Sequence, residues 1–202
     1  MKLYYSPAYC SLAVHIALRE AGLAFELHKV DTVAGRVDDG RDWRAIQPRG
    51  YVPMLELDDG SRHTETAALL QYVGSLDPSG ALMPADARQR LEVNQWLTFV
   101  STELHKVFSP WLWHADTADA TVKAARDKIA LRFADMERHL ASHEWLALDR
   151  FTVADAYAFA IVSWAKPLRI DLKPYPRLAA WRARVAARPH VKAALVAEGL
   201  AA

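Results

Sequence analysis

The chain has 202 residues, 52% of them hydrophobic, with 25 Lys plus Arg set against 24 Asp plus Glu and a single cysteine. So even a charge balance carries no electrostatic footprint for nucleic acid or an anionic membrane, and a small neutral or amphiphilic ligand is the expected partner. One cysteine excludes an internal disulfide, and with no CxxC or Cys/His cluster neither a zinc site nor dithiol redox chemistry is expected, so the metal expectation is none.

The N-terminal Met1-Lys2-Leu3-Tyr4-Tyr5 enters a strand at once, and no apolar run nears the ~20 residues that cross a bilayer. A soluble, cytoplasmic protein is the expectation. The strand Lys2–Tyr5 breaks at Ser6-Pro7, and a helix is predicted from Ser11 to Ala21, closed by Gly22 at a C-cap position. A second strand is predicted over Phe25–Val30. Residues 31–50 are polar and hold three glycines, which reads as a loop with at most a weak helix around Asp42–Ile46. Met54–Leu57, Asp58-Asp59-Gly60 and Arg62–Thr64 form a hairpin signal, because Asp-Gly supplies the positive φ of a tight turn. A helix over Thr66–Leu76 then packs through Ala67, Leu70 and Val73. This order, strand-helix-strand, loop, strand-strand-helix, predicts an α/β thioredoxin-like domain over residues 1–77.

Asp77-Pro78-Ser79-Gly80 and Pro84 read as a linker, after which strand signals end. Val93, Leu97, Val100, Leu104 and Val107, and again Val122, Ile129, Phe133, Met136 and Leu140, recur at helical spacing. Residues 86–202 are therefore expected to form an all-α domain. Thr152-Val153-Ala154-Asp155 is a capping-box start for the apolar run Ala156–Trp164, read as structural. The last helices, Arg177–Ala187 and Val191–Glu198, are separated at Arg188-Pro189.

Chemistry concentrates at a few positions. Cys10 stands at a helix N-terminus, where unpaired N–H groups and the helix dipole favour thiolate and lower the thiol pKa. The competing reading is a buried cysteine acting as a small hydrophobe. Pro53 precedes the hairpin strand and removes a ladder donor, so the chain turns or lies at an edge there. Trans is the ordinary isomer, but a cis Val52–Pro53 bond in a thioredoxin-like fold lets Val52 pair, strand-like, with an extended peptide ligand. Glu65 and Thr66 open the next helix and suit a zwitterion, with a carboxylate on the helix N-terminus at Thr66 and an ammonium near Glu65; an ordinary N-cap is the plain alternative. Asn94, Thr98, Thr102 and His105 form a polar stripe at steps of four, four and three, and His105 can donate to sulfur and titrates near neutrality. Pro110, Trp111, Trp113 and Trp164 offer aromatic area for an apolar pocket, or for plain core.

Together, Ser6-Pro7-Ala8-Tyr9-Cys10-Ser11-Leu12, His15–Leu23, Pro48-Arg49-Gly50-Tyr51-Val52-Pro53, Thr64-Glu65, Glu103-Leu104-His105-Lys106, Phe151–Tyr157 and Glu198-Gly199-Leu200 resemble bacterial beta-class glutathione transferases over essentially the full length. The resemblance implies a homodimer in which the thioredoxin-like domain binds glutathione as co-substrate and the helical domain lines the electrophile pocket. It implies that Cys10 lies against the glutathione sulfur, that Val52 beside Pro53 pairs with the cysteinyl backbone, that Glu65 and Thr66 hold the γ-glutamyl end, and that His105 bonds near the sulfur. Gly35 stands where the family commonly has a glutathione-binding lysine, leaving Arg36 or Arg41 as substitute. Thr98 stands where many members have an asparagine facing the other subunit's ligand, and Thr102 completes the candidate contacts. Ala8 replaces a usual glycine, and Thr66 is bulkier than the frequent Gly or Ser. The implied function is conjugation of glutathione to hydrophobic electrophiles, with thiol-disulfide or peroxide reduction through Cys10 as a side activity. A dedicated glutathione-dependent dehalogenase, etherase or isomerase, and a non-catalytic ligand-binding protein, are the alternatives.

Overall fold

A computed structural model describes residues 1–200. Strands β1 (Lys2–Tyr5), β2 (Glu26–Asp31), β3 (Arg36–Val37), β4 (Met54–Glu56) and β5 (Arg62–Thr64) form one sheet in the order β3-β2-β1-β4-β5. β1 runs parallel to β2 and antiparallel to β4, and Met54 of β4 pairs with Thr64 of β5 across the hairpin. The turn takes the Asp-Gly form expected, with Gly60 at φ +83°. Leu3, Tyr4 and Tyr5 are all buried because the sheet is covered on both sides. Alternation sends Leu3 and Tyr5 into the main core with α1 (Ser11–Glu20) and α3 (Thr66–Ser75), while Tyr4 joins Val30, Val37, Trp43, Val52 and Met54 beneath α2 (Trp43–Ile46).

The helical part comprises α4 (Ala87–Phe99), a π-helical segment (Val100–His105), α5 (Lys106–Phe108), α6 (Asp119–His139), α7 (Val153–Val162), a 3₁₀ turn (Ser163–Ala165), α8 (Pro176–Ala187) and α9 (Pro189–Ala197). Every residue of α7 is buried, as its apolar run requires, and it packs against α1, α3, α4 and α8. Its capping box forms as expected: the Thr152 hydroxyl accepts from Ala154 N–H, and Asp155 Oδ2 accepts from Thr152 N–H at 3.0 Å. Asp155 Oδ1 also accepts from Trp181 Nε1 at 2.9 Å and Leu146 N–H at 3.1 Å, tying α7 to α8 and to the loop before it. Burial pushes this carboxyl up to about 6 despite the donors.

Two elements differ from the sequence reading. The loop over 31–50 contains β3, two residues long, which is too short to leave a period-two pattern. The single helix expected through Val93–Val107 is interrupted by the π segment. Its wider turn advances each residue by a smaller angle, so the side chains after it are rotated relative to those on α4 while Val100 and Leu104 remain buried.

Candidate active site

The segment between β1 and α1 is fixed from several sides. Ser6 Oγ donates to the Val30 carbonyl at 2.5 Å, and Ser11 Oγ donates to the Ser6 carbonyl at 3.1 Å. Ala8 takes φ +65°, a left-handed conformation that costs a non-glycine residue on the order of 1 kcal/mol. The helical part holds it there from both sides: Ala8 N–H donates to Glu198 Oε2 at 3.1 Å, and Trp164 Nε1 donates to the Ala8 carbonyl at 2.7 Å. Glu198 is itself fixed by the buried His15, whose Nδ1 lies 2.9 Å from Glu198 Oε1 while its Nε2 accepts from Arg19 Nε at 2.8 Å. An imidazole that accepts at Nε2 carries its proton at Nδ1, so His15 donates to the carboxylate. His15 on an otherwise apolar helix was the sequence signal for this bridge, but its partner lies 183 residues away.

Cys10 ends that loop at the N-cap position of α1. It is 7% exposed, and its Sγ donates to the Val52 carbonyl at 3.5 Å. The expected lowering of its pKa is not found. Burial raises the thiol to about 11, outweighing the Thr66 hydroxyl, the backbone N–H groups of Cys10 and Ser11 and the charge of Lys106, all of which pull the other way. At neutral pH Cys10 is a thiol, a weak hydrogen-bond donor rather than a nucleophile. The Val52–Pro53 peptide is cis, which answers the open question at that position.

Thr66 is the buried first residue of α3, and its hydroxyl favours the ionised form of both Cys10 and Tyr157. Glu65 precedes it at φ +73°, exposed, with a carboxylate oxygen 3.8 Å from Arg49 Nη1. The α3 N-terminus and the Cys10 thiol therefore share one corner of the fold.

His105 enters from the far side. Its Nδ1 lies 2.8 Å from the Tyr157 hydroxyl, and its ring meets Tyr157 and Trp164 edge-on at 5.9 and 5.1 Å. Burial, with Lys106 adjacent, lowers it to about 4, so the expectation that it titrates near neutrality is corrected: this imidazole is neutral at pH 7. Burial dominates the Tyr157 phenol, with the Ser101 and Thr66 hydroxyls favouring and the charge of Cys10 opposing its ionised form, so Tyr157 belongs to the surroundings of both Cys10 and His105. The sequence reading did not single it out; it lay within an apolar run that reads as core.

The polar stripe does not act as one face. The π segment turns His105 inward, whereas Thr98 and Thr102 are exposed and Thr102 Oγ1 donates to the Thr98 carbonyl of its own helix. Arg36 lies on the edge strand β3, with its guanidinium on the Gly40 carbonyl at 3.3 Å, and Arg41 is engaged by Asp39 and by the Tyr4 hydroxyl. Trp164 is buried in the cluster and Trp113 meets it edge-on at 5.7 Å, while Trp111 and Trp113 are about half exposed. Among the described residues, His28, Asp38 and Asp39 bring metal-type donor atoms within 4.8 Å of one another, but Asp39 already binds Arg41 through both oxygens. A cleft of about 580 Å³ lies apart from Cys10, between α4, the end of α6 and residues 146–150.

The family description "Glutathione S-transferase, N-terminal domain" matches residues 9–76, and "Glutathione S-transferase, C-terminal domain" matches residues 99–189. The chain is 40% identical to glutathione S-transferase GstA of Escherichia coli O157:H7, over 99% of its own length and 100% of that protein. It is 37% identical to glutathione S-transferase GST-4.5 of Xanthomonas campestris pv. campestris, with 99% and 100% covered. Among solved structures, it superposes on BphK, a bacterial glutathione S-transferase in a ternary complex, with a TM-score of 0.95 at 45% identity, covering 99% and 100% of the two chains. It superposes on a sphingomonad glutathione S-transferase complexed with glutathione with a TM-score of 0.94 at 40% identity and full coverage of both. A beta-class enzyme from Sphingomonas chungbukensis matches with a TM-score of 0.94 at 41% identity, with 99% and 100% covered.

Proposed function

The chain belongs to the glutathione S-transferase family, and we propose that it conjugates reduced glutathione to hydrophobic electrophiles at the corner where Cys10, Thr66, Tyr157 and His105 meet. The observation that carries this reading is the buried Tyr157 hydroxyl, 2.8 Å from the His105 ring nitrogen and near enough to Thr66 and Cys10 for each to act on its ionisation. Glutathione lies extended along the loop before β4, its cysteinyl backbone pairing with Val52 at the cis Pro53. Its γ-glutamyl carboxylate sits on the N-terminus of α3 at Thr66, and its ammonium faces the exposed Glu65. Arg36 reaches the glycine end, and Thr98 and Thr102, exposed on their helix, face the ligand of a second subunit in a homodimer.

The protonation states at this corner define the mechanism. Glutathione loses its thiol proton to solvent on binding, and the thiolate attacks the electrophilic carbon, forming the C–S bond as the leaving group departs with its electron pair. Neutral His105 N–H and neutral Cys10 S–H, whose proton turns from the Val52 carbonyl to the ligand once the cysteinyl backbone takes that carbonyl, act as donors to that thiolate, which lowers the cost of the charged sulfur without a general base. Holding thiolate and electrophile together supplies the proximity term. Trp113 and Trp164 form the apolar wall nearest to this corner, where the electrophile binds. Cys10 as a thiol is slow to exchange with disulfides at neutral pH, which makes reductase chemistry a minor activity. A cytoplasmic role in detoxification fits this chemistry.

The test is a calorimetric titration of the reduced protein with glutathione, beside an assay with an activated aryl chloride. Micromolar to low-millimolar binding and a conjugation rate that falls in both His105→Ala and Thr66→Ala support the reading. Binding with no dependence on either residue places the sulfur elsewhere.

A further inference from the structure

The donor role given to His105 in glutathione conjugation depends on which ring nitrogen carries the proton, and the part assigned to Tyr157 rests on that role. A neutral imidazole has one N–H and one bare nitrogen, so it donates through Nε2 only when Nδ1 is the acceptor. Nδ1 faces the Tyr157 hydroxyl at 2.8 Å. Tyr157 comes from the middle of α7, buried along its whole length, and is 1% exposed, so its hydroxyl has no solvent to turn to. Edge contacts with Tyr157 and Trp164 fix the plane of the imidazole. The Ser101 and Thr66 hydroxyls lie near enough to favour the ionised form of Tyr157, Ser101 on the same π turn that carries His105 and Thr66 at the start of α3. Among the described residues, the contact with Nδ1 is the hydrogen bond the Tyr157 hydroxyl makes, so a phenol proton turned away from Nδ1 would be buried without an acceptor.

We propose that Tyr157 is the positioning residue of this site: its hydroxyl donates to His105 Nδ1, holds the ring as the Nε2–H tautomer, and so presents an N–H rather than a lone pair to the glutathione sulfur. The donors then run in one direction, from Tyr157 to His105 and from His105 to sulfur. Negative charge building on the sulfur strengthens each bond behind it. The groups that act on the Tyr157 ionisation from the packed elements are Ser101, Thr66, Cys10 and, from the surface, the charge of Glu65, with His105 in direct hydrogen bond. Burial holds the phenol well above its ordinary range, so it acts as O–H and not as a phenolate base.

The experiment is a two-bond proton–nitrogen correlation spectrum of the histidine rings in ¹⁵N-labelled, glutathione-bound protein at pH 7, for the natural chain and for Tyr157→Phe. The natural chain is expected to show the Nε2–H pattern for His105, and Tyr157→Phe, which removes only the hydroxyl, to shift it toward a mixture of tautomers. The conjugation kcat is expected to fall about tenfold in the variant, the scale of one hydrogen bond, with KM for glutathione changed less than twofold. A merely structural role for Tyr157 would raise KM or reduce the folded fraction and leave the tautomer pattern of the folded protein in place. An Nδ1–H pattern in the natural chain overturns the proposal, and because that spectrum needs no variant, it stands even where Tyr157→Phe fails to fold. His105→Ala conjugating at the full rate would instead remove the donor role itself, whatever the spectra show, so the two failures are separable.

Discussion

Burying a neutral histidine makes stability depend on pH in a way that can be worked out in advance. His105 is lowered from 6.5 to about 4 in the folded chain. The unfolded chain takes up a proton near pH 6.5 and the folded one does not, so the unfolded state gains protons first as the pH falls, and stability is lost between those two values. The sign is that of a depressed pKa: the full contribution is present above pH 6.5, and its loss is complete below about 4. Integrated over the two titrations, the loss amounts to about 2 kcal/mol at pH 5 and about 3 kcal/mol at pH 4, relative to pH 7. Urea denaturation of the natural chain and of His105→Asn, at pH 7 and pH 5 and fixed protein concentration, isolates this group from every other that titrates. The natural chain should lose about 2 kcal/mol more than the variant between the two conditions. A difference that stays constant within about 0.5 kcal/mol would mean that the imidazole is solvated and titrates freely, and would remove the neutral donor from the mechanism.

Further consequences arise at other sites. As the sole thiol, Cys10 should alkylate slowly at pH 7 and accelerate about tenfold per pH unit up to about 11, followed by intact mass; a rate that levels off by pH 8 would show a stabilised thiolate and refute the buried-thiol description. Gly74→Ala should destabilise by about 1–3 kcal/mol, because a Cβ there comes within 2.8 Å of Met83 Cβ and 2.9 Å of Val153 Cγ1, where α3 meets α7. Thermal unfolding would register that loss, and an unchanged melting temperature would mean the two helices separate easily. Trp181→Phe deprives Asp155 of a buried donor, with an expected cost of about 1–3 kcal/mol in denaturant and a further rise of the Asp155 pKa in a carboxyl NMR titration.

The elements that announced themselves in the sequence are those fixed by local rules. The Asp-Gly turn, the capping box at Thr152 and the proline that opens α9 each depend on a few adjacent residues, and each forms where expected. What was hidden depends on packing. Two residues cannot carry a strand period, so β3 stayed within its loop. The π segment leaves the apolar spacing of Val93 to Val107 intact, because Val100 and Leu104 are buried on either side of the change in winding. Counting residues along an assumed α-helix therefore placed His105 on one stripe with Thr98 and Thr102, when it turns inward and they do not.

The same limit explains the two protonation states that came out opposite to expectation. A helix N-terminus is a local feature and argues for a low Cys10 pKa; burial is a tertiary one and wins, because the end of α1 is covered by the Val52 loop and by α3. Position in the chain named Cys10 and His105 as the reactive pair, but only the fold brings in Tyr157, 52 residues beyond His105 and hidden in an apolar run. The consequence is chemical. Two groups that the sequence presents as a thiolate and an imidazole titrating near neutrality are, once buried, a thiol and a neutral imidazole, and both of them donate. A site built from donors is suited to holding a thiolate that belongs to the ligand, which is why the nucleophile here is assigned to glutathione and not to the protein.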